Sequence, residues 1–443
     1  MSKTITEPAK NIPVIGEYDI AVLGGGPAGL AAAVAAGRRG FAAVLIERHG
    51  FLGGMGTAAG VSNFCGLYAN YFGEQVQVVR GVADELLDRI DRLGGLNAPH
   101  LCAGKINARA YDIPAYKFAA DELVLGAGTK LIFHALAVGV IKGTDDTLDA
   151  LLLETKSGRV AVRARMFIDA SGDGDLAAWA GAPFEKGDGA GNSLYPSTMF
   201  RMNGIDPEKA GDAWTKIPGL MREAEERGDF KFPRHGAIVR PQRNPIEWRA
   251  NITQIHDDNG NAIDGANGES LSEGEIIGRN QVKETFRFLR TVPGFEHSYI
   301  SEIAPQIGIR ETRRIMGDYV LTEDDVLSCV DFEDTIGRNS WPIEAHVQGD
   351  VHWHWQDIPN VRGYNQLPYR MMLPVGIDNL FVVGRCASMT HHAQSAARVT
   401  GACFVMGEAA GEAATLALNS NNSTRSIDQA TLRERLERNG VLL

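Results

Sequence analysis

Cysteine is scarce in this chain of 443 residues, and the five present, Cys65, Cys102, Cys329, Cys386 and Cys403, form no C-x-x-C pair. An odd count without that spacing argues against a disulfide framework, a zinc site or a cysteine-ligated iron–sulfur cluster, so a redox centre must come from elsewhere. Basic blocks are missing as well. The formal net charge is −11, with 44 Lys and Arg against 55 Asp and Glu, whereas a nucleic-acid surface needs clustered cations. No apolar run reaches spanning length, and the opening MSKTITEPAKNIP lacks the apolar core and small-residue cleavage site of a secretory leader. The expectation is a cytoplasmic protein with neither nucleic acid nor membrane as a partner. Hydrophobic residues at 44% and charged residues at 22% are those of an ordinary globular protein, and the length suits two or three domains.

What is present begins with DIAVLGGGPAGLAAAVAAGRRGFAAVLIERHGFLGGMG, Asp19 to Gly56. The apolar run Tyr18 to Leu23 has strand character and meets Gly24, Gly26 and Gly29 in the spacing G-x-G-x-x-G. An Ala-rich helix follows from Pro27 and Ala28, where a proline loses no intrahelical hydrogen bond. A second apolar run, FAAVLI, ends at Glu47. In such a βαβ unit Gly24 permits the tight turn, Gly26 lets backbone amides approach a pyrophosphate, and Gly29 lets helix and strand pack closely. The phosphates sit at the positive end of the helix dipole, and Glu47 accepts hydrogen bonds from a ribose. FAD and NAD share these parts, so the pattern alone leaves both open.

The continuation RHGFLGGMGTAAG is a second glycine cluster. Here the chain resembles the FAD-dependent oxidoreductases of the glutathione-reductase-like superfamily, and more narrowly a family related to fumarate reductase flavoproteins. The resemblance implies FAD, with Arg48, Gly53, Gly54, Met55 and Gly56 forming a loop over the pyrophosphate and ribityl chain. Further on, LIFHALAVGVI, LDALLLET and RVAVRARMFIDASGDGDLA read as a β-meander whose last strand returns to the cofactor through Asp169 to Asp175. By resemblance, Ala170, Ser171 and Gly172 lie near the adenine and pyrophosphate, and Val138 offers a backbone contact to adenine. The segment Val79 to Gly95 has helical period, with Gly94 and Gly95 as its stop.

Near the C-terminus, NLFVVGR reads as a strand, and Gly401 to Leu418 as a helix lined with Gly and Ala. Gly384 and Arg385 fall, by resemblance, at the ribityl and pyrophosphate portion. Gly401 and Ala402 open the helix, placed to meet the negative charge that a reduced flavin carries at N1 and its C2 carbonyl. The expected fold is α/β: a Rossmann-like FAD-binding domain, parallel sheet with β-meander, over 15–184 and 364–443. It is interrupted by an α+β substrate or cap domain over 185–363. In that insert HDDNGNAIDGANGES reads as a loop and GRNQVKETFRFLRTV as helix. Arg310, Arg313, Arg314 and Gly317 match a segment of the family, where arginines fork onto carboxylates of substrate or of protein. In HVQGDVHWHWQD, His346, His352 and His354 raise a metal site, but no further ligands follow a recognisable pattern; the aromatic and His residues there better suit the wall of a loop or pocket, and no metal is expected.

The leading functional expectation is a flavoenzyme that oxidises a small organic substrate by hydride transfer to flavin N5 and passes the electrons to oxygen or another acceptor. His392 is the candidate base, Arg398 and Arg370 the orienting cations, and Tyr364 a donor or base. Fumarate-reductase relatives carry a His and an Arg before the last helix, and His391, His392 and Arg398 stand in that region with different spacing. No His falls in FLGGMGTAAG, where those relatives attach flavin covalently. The alternative is an electron-transfer flavoprotein subunit acting with a protein partner. A tRNA-modifying flavoprotein is disfavoured by the acidic balance, and a homodimer is the commonest assembly to expect.

Overall fold

The computed structural model describes residues 4–144, 146–420 and 423–443. The apolar run around Tyr18 forms a strand, Val14–Leu23, at the centre of a seven-stranded sheet. It pairs in parallel with Ala43–Ile46 on one side and Gly158–Asp169 on the other, with Leu23 opposite both Ile46 and Asp169. The carboxyl ends of these three strands therefore lie side by side. Gly24, Glu47 and Ala170 each follow one of them, at the edge where open α/β sheets bind ligands.

The expected strand LIFHALAVGVI is two strands. Lys130–Ile132 extends the parallel half beside Ala43–Ile46, while Leu136–Lys142 is the outer strand of the antiparallel meander with Leu148–Thr155 and Gly158–Asp169. Between them His134 takes a positive φ of 54°, which turns the chain from one edge of the sheet to the other. Leu380–Val382 pairs in parallel with Phe167–Asp169. The Asn379 side chain fills the gap where the meander ends, accepting the amide of Leu148 at 2.8 Å and donating to its carbonyl at 2.9 Å.

The helix Pro27–Arg38 is nearly all buried and shows almost no amphipathic stripe, because a second helix covers its far side. That partner is Thr400–Ser420. Gly407 and Gly411 make the approach possible: a Cβ on Gly407 would stand 2.0 Å from the Ala28 carbonyl oxygen, and one on Gly411 2.5 Å from that of Ala32. The Val79 to Gly95 segment is helical over Val82–Arg92, and the chain leaves it at Gly94 with φ 71°.

The insert is α+β, as its sequence suggests. Ile238–Pro241, Trp248–Asn251, Phe200–Asn203 and Tyr299–Ile303 form an antiparallel sheet in that order, packed against Ala213–Glu226 and Gly268–Leu289 through Phe200, Trp248, Phe288 and Phe295. The second helix starts ten residues before the expected segment, where Asn267 caps it by accepting the amide of Ser270 at 2.9 Å. A hairpin of Ile343–Val347 with Asp350–His354 closes over the carboxyl edge of the main sheet, while Thr335–Asn339 pairs with Asn365–Pro368. Among the described residues no helix is long and apolar enough to cross a membrane.

Candidate functional site

A cavity of about 520 Å³ lies between the carboxyl edge of the main sheet and the insert. One wall is made of glycine loops. Gly24 has φ 98°, and a Cβ there would stand 2.4 Å from the Ala170 carbonyl oxygen. Gly29 faces Gly24, where a Cβ would meet its carbonyl oxygen at 1.8 Å, so only glycine lets the helix start this close to the strand. Gly26 caps Pro27–Arg38 without any side-chain hydrogen bond, leaving first-turn amides with no intrahelical partner at the cavity. The two glycine loops touch: Gly53 donates its amide to the Gly25 carbonyl at 2.8 Å, and a Cβ on Gly54 would lie 2.8 Å from the Cα of Gly26.

Glu47, 6% exposed, ties this wall together. Its Oε2 accepts the amide of Gly25 at 2.7 Å and its Oε1 that of His49 at 2.8 Å, leaving one acceptor direction on each oxygen. Opposite, the buried Asp169 carboxylate organises A-S-G-D-G-D. Oδ1 accepts from the Ser171 amide and hydroxyl and Oδ2 from the Ala177 amide, while burial pushes its pKa up to about 6. Gly172 lies against the guanidinium of Arg385, which donates to Asp173 Oδ1 at 2.8 Å and to the Ile309 carbonyl at 2.9 Å. A backbone-lined cradle with a helix N-terminus and one buried carboxylate at ribose distance along the chain is the donor set an adenosine pyrophosphate requires. These residues fit FAD.

Of the residues expected at the cofactor, Gly24, Gly26, Pro27, Ala28, Glu47, Arg48, Gly54, Met55, Ala170, Gly172, Gly384 and Arg385 line the cavity. Gly29 and Gly53 stand behind the wall and shape it. Val138 does not line it. The backbone beside Glu47 is three residues earlier, where Ala135 donates its amide to the Glu47 carbonyl at 3.2 Å, because the chain turns away at His134 into the outer meander strand. Gly401 and Ala402 are set back too. The Gly401 amide is committed to the Cys65 carbonyl at 2.9 Å and Ala402 is fully buried, so Val399, Thr400 and Cys403 present this helix end to the cavity.

Three of the four expected catalytic residues lie elsewhere. His392 is exposed on a short helix, His391–Ala397, whose buried face is Ala393, Ala396 and Ala397. Arg370 is exposed and forks onto Asp334 at 2.9 Å. Tyr364 is buried between the guanidiniums of Arg338 and Arg362, each 4.5 Å from its ring centre. Only Arg398 lines the cavity, with its Nε lacking a hydrogen-bond partner.

The wall facing the glycine loops is built by residues from separated segments: Asn63, Arg249, Trp341, Glu344, His346 and Trp353. The hairpin puts Glu344 opposite Trp353 and His346 opposite Val351, all on its inner face, whereas His352 and His354 point outward into solvent. His346 Nε2 lies 3.2 Å from Glu344 Oε1 and its Nδ1 has no partner. Burial, and next the charge of Arg310, push His346 well below the ordinary histidine range, so the ring is neutral. Burial opposes ionisation of Glu344, yet hydrogen bonds from His346 and Trp341 and the charge of Arg398 hold its carboxyl down at about 2. A neutral imidazole donating Nε2–H to a carboxylate keeps the Nδ1 lone pair available as a base.

Arg310 of the R-x-x-R-R segment also lines the cavity and donates to the Tyr195 carbonyl at 2.6 Å, whereas Arg313 and Arg314 pair with protein acids, Asp175 and Glu311. Gln306 reaches from the insert to Arg48 at 3.2 Å and His49 at 3.0 Å. Among the described residues no group of three or more His, Cys, Asp or Glu could hold a metal. Gly25, Arg249 and Glu344 line the cavity without a role expected from the sequence, whereas His346 and Trp353 belong to the stretch whose aromatic and His residues were expected on the wall of a loop or pocket. One signal was present: in PIEAHVQGDVHWHW, strand alternation puts Glu344 and His346 on the face that carries Trp353.

Residues 19–436 match the family described as FAD dependent oxidoreductase. No curated protein matches the chain. Among solved structures, a geranylgeranyl bacteriochlorophyll reductase-like protein from Thermoplasma acidophilum aligns with a TM-score of 0.50 and 16% identity, over 96% of this chain and 83% of that one. A p-nitrophenol 4-monooxygenase from Pseudomonas putida DLL-E4 aligns with a TM-score of 0.45 and 12% identity, over 93% and 82%. At such identities the first likeness speaks to the fold alone.

Proposed function

The chain belongs to the FAD-dependent oxidoreductase family and binds FAD, and from that premise we propose that it oxidises a small organic substrate held between the flavin and the Glu344–His346 hairpin. Within the family we read it as a member of the glutathione-reductase-like superfamily related to fumarate reductase flavoproteins. What supports this is the order of motifs at the sheet edge: G-x-G-x-x-G, Glu47, a second glycine loop, A-S-G and G-R. Bound FAD supplies a two-electron acceptor, and the reaction proposed is hydride transfer from substrate to flavin N5, with oxygen or another acceptor downstream.

The observation that carries the reading is a set of buried polar atoms without partners among the described residues, on the wall opposite the glycine loops: Asn63 Oδ1, Arg249 Nε, His346 Nδ1 and Arg398 Nε. Unsatisfied buried groups are costly, and their convergence on one cavity suits a substrate that satisfies them. In this scheme His346 Nδ1 accepts the substrate proton, Glu344 fixes the tautomer and orientation of the ring, and Arg398 orients an anionic or carbonyl group. Trp341 and Trp353 exclude water from the reacting end.

The test begins with the absorbance spectrum of the purified protein before and after acid precipitation, followed by anaerobic titration with organic acids, alcohols and amines. A yellow supernatant and bleaching of the flavin band by one class is the expected result. A protein that neither carries FAD nor takes it up would overturn the proposal.

A further inference from the structure

A second cavity, of about 590 Å³, adjoins the first between the loop Asn97–His100 and the insert strands Ile238–Pro241 and Trp248–Asn251. The two share His100, Arg240 and Arg249 as a common wall. Among the described residues its charged lining consists of Arg240, Arg243 and Arg249, with no carboxylate, in a chain whose net charge is −11.

The partners of these arginines are neutral. Arg243 donates to the Leu96 carbonyl at 2.8 Å, Arg249 to the Val61 carbonyl, and the Arg240 guanidinium stacks over the Trp214 ring at 4.6 Å. Arg249 is only 6% exposed and its Nε has no partner. His100 is half-buried on the shared wall, its Nε2 is also unpartnered, and burial followed by the charges of Arg240 and Arg249 pulls its pKa down to about 4. Arg249 is held out of water without a counter-charge, which is unfavourable, while Arg240 is half-buried and Arg243 exposed at the mouth beside it. A planar guanidinium is the group suited to forked contacts with an oxyanion.

We propose that this cavity is an oxyanion site, which holds a carboxylate or phosphate of the substrate on Arg240, Arg243 and Arg249 while the rest of the molecule passes the shared wall to the flavin cavity. The substrate class is thus an organic acid or phosphoester with its oxidisable carbon distant from the anionic group. The inference rests on the flavoenzyme reading above.

The experiment uses the FAD-loaded protein. Its melting temperature is followed during titration with benzoate, inorganic phosphate and the neutral benzamide, with chloride holding ionic strength constant, and the ratio of flavin to protein absorbance is recorded in every sample. Expected is a saturable rise with benzoate or phosphate and none with benzamide, at least about tenfold weaker in Arg243→Ala and kept in Arg243→Lys, which preserves the charge. A response to benzoate alone identifies a carboxylic acid, and to phosphate alone a phosphoester. Equal responses to benzamide and the anions, no response at all, or an anion response unchanged in both Arg243→Ala and Arg240→Gln would overturn the site. Protein that neither carries nor takes up FAD yet responds to anions would keep the site and overturn the flavoenzyme reading instead.

Discussion

Glu47 Oε2 and the amide of Gly25 are joined at 2.7 Å across the mouth of the first glycine loop, so one carboxylate fixes the loop and keeps its remaining acceptor directions toward the cavity. The geometry makes Glu47 a structural tie as well as a ribose acceptor. Replacement by Ala strands the buried amide of Gly25, at a cost of about 1–3 kcal/mol, and frees the half-buried amide of His49. Glu47→Ala should retain at least about tenfold less FAD than the parent, and Glu47→Gln, which keeps one carbonyl oxygen, should be intermediate. Flavin-to-protein absorbance after gel filtration measures both.

Arg385 carries a different load. It joins Asp173 to the backbone of Ile309, so the A-S-G-D-G-D turn and the insert are held by one guanidinium. Asp173 and Arg385 side chains are 13% and 10% exposed. Removing one partner leaves the other charge buried, at a cost of about 3 kcal/mol. Arg385→Ala should lower the urea midpoint accordingly, whereas Arg370→Ala, which breaks the exposed pair with Asp334, should change it by less than about 1 kcal/mol.

Glu408 makes stability depend on pH. Burial between helices raises its pKa from 4.5 to about 7, with the Val82 amide at 2.9 Å opposing the shift. The folded state therefore binds more protons than the unfolded chain between those values, and this contribution to stability falls as pH rises through the window. Glu408→Gln, which keeps the acceptor for Val82, should flatten the profile between pH 4.5 and about 7 and gain up to roughly 3 kcal/mol above it. Chemical denaturation across pH tests this, and a parent profile that rises through the window would contradict it.

His346 and His392 separate the two histidine assignments. With any substrate found to bleach the flavin, His346→Ala should slow anaerobic bleaching on the order of 10²-fold or more, and His392→Ala should leave it within about twofold. Glu344→Gln should also slow the reaction and shift its pH profile, because the ring then loses the group that sets its tautomer.

The cofactor half of the molecule was legible because its recognition is local and made largely of backbone. Gly24, Gly26, Gly29 and Glu47 lie within one βαβ unit, where a strand, a turn and a helix start leave periodic and spacing signals. Gly407 and Gly411 likewise announced a close helix contact through the run of small residues. Val138 lies off the cavity lining because the chain turns at His134, whose positive φ no composition rule reveals. His392, Tyr364 and Arg370 have suitable chemistry and stand near the last helix in sequence, yet they do not line the cavity. Where they stand follows from which side of each element is buried, a property of packing.

By itself the sequence determined the α/β class, the glycine cradle and FAD, since φ preferences, close backbone approach and helix polarity act over a few residues. Only the tertiary structure decided the substrate side. Asn63, Arg249, His346 and Arg398 come from four distant segments, and their shared wall exists only because the insert folds back over the sheet edge. Burial there keeps the His346 ring neutral and strips Arg249 of solvent, effects that arise from neighbours far along the chain and leave no local trace.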